Sequence, residues 1–244
     1  MFPLKDDLPV HRTPVVTWVI LAANVLAFLW QVGVVGLEYS VYAGGAIPYE
    51  ILRFRDLVGG RQVPDLVRPP LTVFTSMFLH GGWGHIFSNM LFLWIFGNNV
   101  EDALGRGRFL FFYLASGVAA ALAQTAATAV QAGGLPPAEA RAALAIPMVG
   151  ASGAIAGVLA AYMILFPQAR ILTLVPIFII IRLFYIPARV FIGLWFLLQL
   201  LMALGGVTGA GGVAFFAHIG GFVAGLVLVK ITGRRRVERR PAEW

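Results

Sequence analysis

Cysteine is absent from this 244-residue chain, which excludes disulfides, thiolate metal sites and a cysteine nucleophile. Charge is scarce. Asp, Glu, Lys and Arg make up 12% of the residues, where a soluble domain carries about a quarter. Histidine occurs four times and serine five times, so the side chains able to do acid–base or nucleophilic chemistry are few. What fills the chain instead is apolar: 59% hydrophobic residues with a mean hydropathy of +0.85. That balance places the chain in a bilayer and suits one domain. The net charge of +7 does not read as nucleic-acid binding, because a cluster from Arg234 to Arg240 directly follows an apolar segment. Cytoplasmic basic charge sits there in membrane proteins.

Six apolar segments stand out, at 14–35, 84–100, 107–131, 150–167, 190–207 and 213–233. Each approaches the ~20 residues that cross a bilayer. The first is read as a retained span, with a cleaved signal as the alternative. The expected fold is all-α, a polytopic bundle of six transmembrane helices over 14–233. A cytoplasmic tail precedes it at 1–13 and a basic cytoplasmic tail follows at 234–244. Six crossings put both termini on one side. If that side is the cytoplasm, 13 basic residues lie inside and 5 outside, the asymmetry the positive-inside rule demands. Residues 36–83 form a long first loop broken by Pro48, Pro64, Pro69 and Pro70. Residues 171–189 are apolar but carry Pro176, Arg182 and Pro187. They are read as an interfacial or hairpin-like segment, with a seventh crossing as the alternative.

Polar side chains inside spans are costly and therefore informative. His85 opens the second segment, Ser152 the fourth, and His218 lies a turn into the sixth. Even-numbered spans run in the same direction, so all three residues reach a similar depth. Ser152 in Gly150-Ala151-Ser152-Gly153 is the candidate nucleophile: flanking glycines leave its hydroxyl approachable, and a helix N-terminus suits a developing oxyanion. On that motif alone, a small-residue helix contact is the better reading. Ser116 lies deep in the oppositely directed third span and is a decoy. His218 shares a helical face with Gly221 and Gly225, where it can serve as general base, although a buried structural histidine is an equal reading for it in isolation. His85 and Asn89 are four apart, on one face, and both can donate to an oxyanion. No Asp or Glu accompanies the imidazoles, so a metal site is not expected, and a dyad is the serine-hydrolase scheme that fits. Asn24, Gln124 and Gln199 are expected to make interhelical hydrogen bonds. Water is expected to enter through a glycine-rich pocket that includes Gly81, Gly82, Gly205, Gly206, Gly209, Gly211 and Gly212.

Four ordered motifs go further. They are His80-Gly-Gly-Trp-Gly-His85-Ile-Phe-Ser-Asn89, Phe96-Gly97-x-x-x-Glu101-x-x-Leu104-Gly105, Gly150-Ala-Ser152-Gly, and Ala217-His218-x-x-Gly221-x-x-x-Gly225. Together, over about residues 70–230, they resemble the rhomboid family of intramembrane serine proteases. The resemblance implies a six- or seven-span fold, no cofactor, and cleavage of transmembrane or membrane-anchored proteins at the cell membrane. It also implies Ser152 as nucleophile, His218 as base, and His85, Asn89 and the Ser152 N–H as oxyanion donors. Two positions depart from the family pattern. Leu71-Thr72 stands where many members have an aromatic–arginine pair. Ala156 stands where many place a tyrosine on the catalytic imidazole, leaving Phe215 or Phe216 as the rings nearest in sequence. The alternatives are a non-proteolytic relative that binds or escorts membrane clients and, more remotely, a small transporter.

Overall fold

A computed structural model of the chain describes residues 1–55, 67–177, 180–205 and 213–232. Pro64, Gly206, Gly209, Gly211, Gly212 and the basic tail, all singled out above, lie outside those residues.

The chain opens with strand β1 (Phe2–Asp6) and helix α1 (Val15–Trp30), which continues through a π turn at Gln31–Val35. Gly36, at φ +90°, ends that run. Short helices α2 (Leu37–Gly44), α3 (Pro48–Arg53) and α4 (Thr72–Thr75) carry the first loop. Helix α5 (Trp83–Phe92) passes through a π turn, Leu93–Gly97, into α6 (Asn98–Leu104). Gly105, at φ +80°, then reverses the chain into α7 (Arg106–Ala132), followed by α8 (Pro137–Leu144) and α9 (Ser152–Leu165). Strands β2 (Arg170–Ile177) and β3 (Ile180–Pro187) lead to α10 (Ala188–Leu204) and α11 (Phe215–Ile231).

Helix α9 is the centre of the molecule. Ten successive residues, Gly153 to Tyr162, are buried, as expected of a helix apolar on every side. Helices α7 and α11 close on it through small residues. A Cβ at Gly153 would stand 2.5 Å from the Ala120 Cβ, and one at Gly225 would stand 2.5 Å from the Gly157 carbonyl oxygen. Backbones approach this closely only where no side chain intervenes. Outward-facing Leu, Val, Phe and Trp remain exposed, among them Trp18, Leu26, Phe111, Leu197, Leu201 and Val227. So broad an apolar exterior suits an apolar solvent.

Two helical runs among the described residues, Val15–Val35 and Arg106–Ala132, have the length and apolarity of a bilayer crossing. Helices α9, α10 and α11 are apolar but shorter.

The all-α expectation needs correction. Three antiparallel strands form a sheet in the order β1-β2-β3. Phe2 pairs with Leu174, and Arg170 pairs with Pro187 along a hairpin that ends at Ile177 and Ile180. Residues 171–177 and 180–187 are thus the hairpin rather than a seventh helix, and residues 2–6 of the tail form its third strand. Rows of β-branched and aromatic residues favour strands. The sheet lies beyond the C-terminal end of α9, while Ser152 lies at its N-terminal end. The rest of the 14-residue helix separates them, a rise of ~20 Å.

The far end is tied to the bundle by two carboxylates, the buried Glu101 and the half-buried Asp6. Glu101 accepts from the Val16 and Thr17 N–H groups at 3.0 and 2.7 Å and from Thr17 Oγ1 at 2.8 Å. It thereby satisfies donors that the first turn of α1 leaves free. Asp6 accepts from the Tyr162 hydroxyl and from Asn99 Nδ2, each at 2.6 Å.

Candidate active site

Gly150 shapes the entry to α9. Its φ of +120° is accessible to glycine and strained for other residues, and its N–H donates to the Ser76 carbonyl at 2.8 Å. The chain therefore turns sharply into Ser152, the first residue of the helix, where the early N–H groups have no intrahelical acceptor. His218 sits in the first turn of α11. Gln124 of α7 holds that turn by accepting from the Ala217 N–H at 3.1 Å. His218 Nε2 lies 2.8 Å from Ser152 Oγ.

His85 and Asn89 face the same space from α5. His85 Nδ1 accepts from the Gly81 N–H at 3.3 Å. A neutral imidazole that accepts at Nδ1 carries its proton on Nε2. That nitrogen is aimed at the Gly150 backbone: a Cβ there would stand 2.7 Å from His85 Nε2 and 3.5 Å from Asn89 Nδ2. Asn89 Nδ2 is buried and has no hydrogen-bond partner. Two donors thus converge beside the start of α9. His85, Asn89, Ser152 and His218 all line one cavity of about 470 Å³, with Gly81 and Gly82 at its edge. Among the described residues, no group of three His, Asp or Glu side chains gathers as a metal site would.

Other polar residues divide by role. Ser116 is fully buried where α7 crosses α9, packed against Gly157 and away from the cavity lining. His80 lies behind His85, with ring centroids 5.1 Å apart, and its backbone is clamped by Gln31. Gln124 and Gln199 bond across helices as expected. The Asn24 amide donates to the Ile20 carbonyl of its own helix at 2.7 Å and also meets the Tyr113 hydroxyl of α7.

Two neighbours of His218 were not foreseen in these roles. Gln199 Oε1 lies 2.7 Å from His218 Nδ1. The ring beside the imidazole is Trp195, with centroids 5.7 Å apart and planes at 38°. Neither Phe215 nor Phe216 takes that place. Both neighbours come from α10, and nearness along α11 was a poor guide because successive helical residues point in different directions.

Helices packed around an internal serine–histidine cavity, with an apolar exterior, define a class of helical membrane protein. The family model described as the rhomboid domain matches residues 68–235. The chain belongs to the rhomboid family. It is 32% identical over 164 residues to "Rhomboid protein 1, mitochondrial" of Saccharomyces cerevisiae, covering 67% of this chain and 42% of that protein. It is also 36% identical over 89 residues to "Rhomboid protease GluP" of Bacillus subtilis, covering 36% of this chain and 14% of that one. The matched region thus spans less than half of either relative.

Proposed function

We propose that this chain is an intramembrane serine endopeptidase that cleaves transmembrane or membrane-anchored proteins, with Ser152 as nucleophile and His218 as general base. The observation that carries this reading is the 2.8 Å approach of His218 Nε2 to Ser152 Oγ inside a cavity that also holds two converging donors. That distance is within the reach a base needs to take the serine proton.

In the proposed reaction, the Ser152 proton passes to His218 Nε2 as Oγ bonds to the substrate carbonyl carbon. The carbonyl electron pair moves onto oxygen, which accepts hydrogen bonds from His85 Nε2, Asn89 Nδ2 and the Ser152 N–H. Collapse breaks the C–N bond, and the departing amine takes the proton from His218. Water then attacks the acyl ester by the same route, delivers its proton through His218, and restores Ser152. No metal or cofactor is required by this scheme.

The bundle is read as six crossings with both termini in the cytoplasm of a cell-membrane protein. Its partners are the lipid bilayer and its membrane-protein substrates. Residues 14–233 form the catalytic domain between the two tails. Helix lengths support a buried site. The 14 residues of α9 rise ~21 Å, short of the ~30 Å hydrocarbon core. If the sheet end lies at one interface, Ser152 lies several ångströms beneath the other.

The test is fluorophosphonate labelling of detergent-purified protein, with cleavage of a model transmembrane substrate in parallel. Wild type is expected to label and cleave. Ser152→Ala is expected to do neither while keeping its melting temperature. Substantial cleavage by Ser152→Ala would overturn the nucleophile assignment. A folded wild type that neither labels nor cleaves would favour a client-binding role instead.

A further inference from the structure

Both ring nitrogens of His218 are engaged, on opposite sides. Nε2 faces Ser152 Oγ at 2.8 Å, and Nδ1 faces Gln199 Oε1 at 2.7 Å. Gln199 is itself buried, and its Nε2 donates to the Trp195 carbonyl one turn earlier at 3.4 Å. That carbonyl can only accept. It therefore holds the NH2 end of the amide and leaves the oxygen end toward the imidazole.

The direction of this amide matters for chemistry. Oε1 only accepts, so it selects the tautomer with a proton on Nδ1 and a bare lone pair on Nε2, the nitrogen that faces the serine. The opposite amide orientation would present a donor to Nδ1. The proton would then occupy Nε2, and that nitrogen could not take a proton from Ser152. We propose that Gln199 is the positioning residue of this site. It is a neutral third member that fixes the tautomer and ring plane of His218, with the Trp195 indole supplying the ring contact that Ala156 cannot. This rests on the reading of Ser152 and His218 as nucleophile and base. A carboxylate would perform the same orientation, but at the cost of a buried charge on a helix whose other face exposes Leu194, Leu197, Leu198 and Leu201. A carboxamide orients without that charge.

Two substitutions separate positioning from packing. Gln199→Met keeps much of the length and bulk but removes the amide acceptor. It is expected to lower kcat and the rate of fluorophosphonate inactivation by about tenfold to a hundredfold, with KM and melting temperature little changed. Gln199→Glu keeps an acceptor and is expected to rescue kcat. The nitrogen-15 shifts of the His218 ring in a Ser152→Ala background give a readout independent of turnover. They should report the Nδ1–H tautomer while Gln199 is present and a mixture of tautomers once Gln199→Met is added. Unchanged kcat in Gln199→Met, no rescue of kcat in Gln199→Glu, or an Nε2–H tautomer in the parent would each overturn the proposal. Failure of the dyad reading would look different: Ser152→Ala would still cleave, or wild type would not label, whatever the tautomer of His218.

Discussion

Gly221 on α11 rests against the carbonyl of Gly153 on α9, so closely that even a methyl group on Gly221 would overlap that oxygen. Gly153 is the residue after Ser152, and Gly221 lies one turn after His218. The contact between two glycines therefore sets how near the two helices carry the serine and the histidine. Gly221→Ala should already reduce cleavage, and Gly221→Val should abolish it, without altering any group in the cavity. Misplacement of reacting groups by about 1 Å can cost a hundredfold in rate, and overpacking of this kind costs about 1–3 kcal/mol in stability. Gly193→Ala is the control, since a Cβ there meets nothing within 4 Å. Cleavage assays and thermal melts of the three variants check this. Equal activity of Gly221→Val and wild type would refute it.

Asn89→Ala should slow turnover far more than it weakens substrate binding. Asn89 Nδ2 is buried with no hydrogen-bond partner, so its N–H groups are available to charge that develops only during reaction. Loss of one such donor costs about 10²- to 10³-fold in kcat in well-studied hydrolases. His85 remains, so the lower end of that range is expected. Separate kcat and KM values for Asn89→Ala decide the matter: a rise in KM alone would make Asn89 a binding or packing residue.

Gly150→Ala is expected to be more damaging than its size implies. The new methyl would stand 2.7 Å from His85 Nε2, and the residue would be held at φ +120°, where side chains are strained. Both effects push on the turn that presents Ser152. The variant should lose fluorophosphonate reactivity and show a lower melting temperature. A variant with normal labelling would mean that the space between Gly150 and His85 is not where the oxyanion forms.

Asp6 gives the far end of the molecule a pH dependence. Burial pushes its carboxyl above the usual carboxylate range. The hydrogen bond from Tyr162 works against that shift, and the charge on Asp7 adds to it. The folded protein therefore binds this proton more tightly than the unfolded chain does. Stability from this group falls as pH rises from the unfolded value through the raised folded value, and it is regained on acidification. Asp6→Asn keeps an oxygen able to accept from Tyr162 and Asn99 but removes the titration. Melting temperatures between pH 7 and pH 4 should show the variant gaining most over wild type at neutral pH. Parallel curves for the two proteins would remove Asp6 as the source.

Much of the site was legible because its code is local. Low charge and six apolar runs identified the membrane solvent. A four-residue spacing put His85 and Asn89 on one face, and the spacing of His218, Gly221 and Gly225 marked the face that closes on α9. Ser152 and His218 each fall near the start of an apolar segment, which pointed to one end of the bundle. The hairpin within 171–189 was legible in outline, but the third strand of the sheet was not, because Phe2 finds its partner at Leu174, far along the chain. Nor was the role of Gln199. Its place on α10 showed in the sequence, but whether its amide meets an imidazole, a carbonyl or lipid depends on how that helix is rotated about its axis. In an apolar solvent, hydrophobicity exerts little preference over that rotation, and the fit of side chains against neighbouring helices decides it.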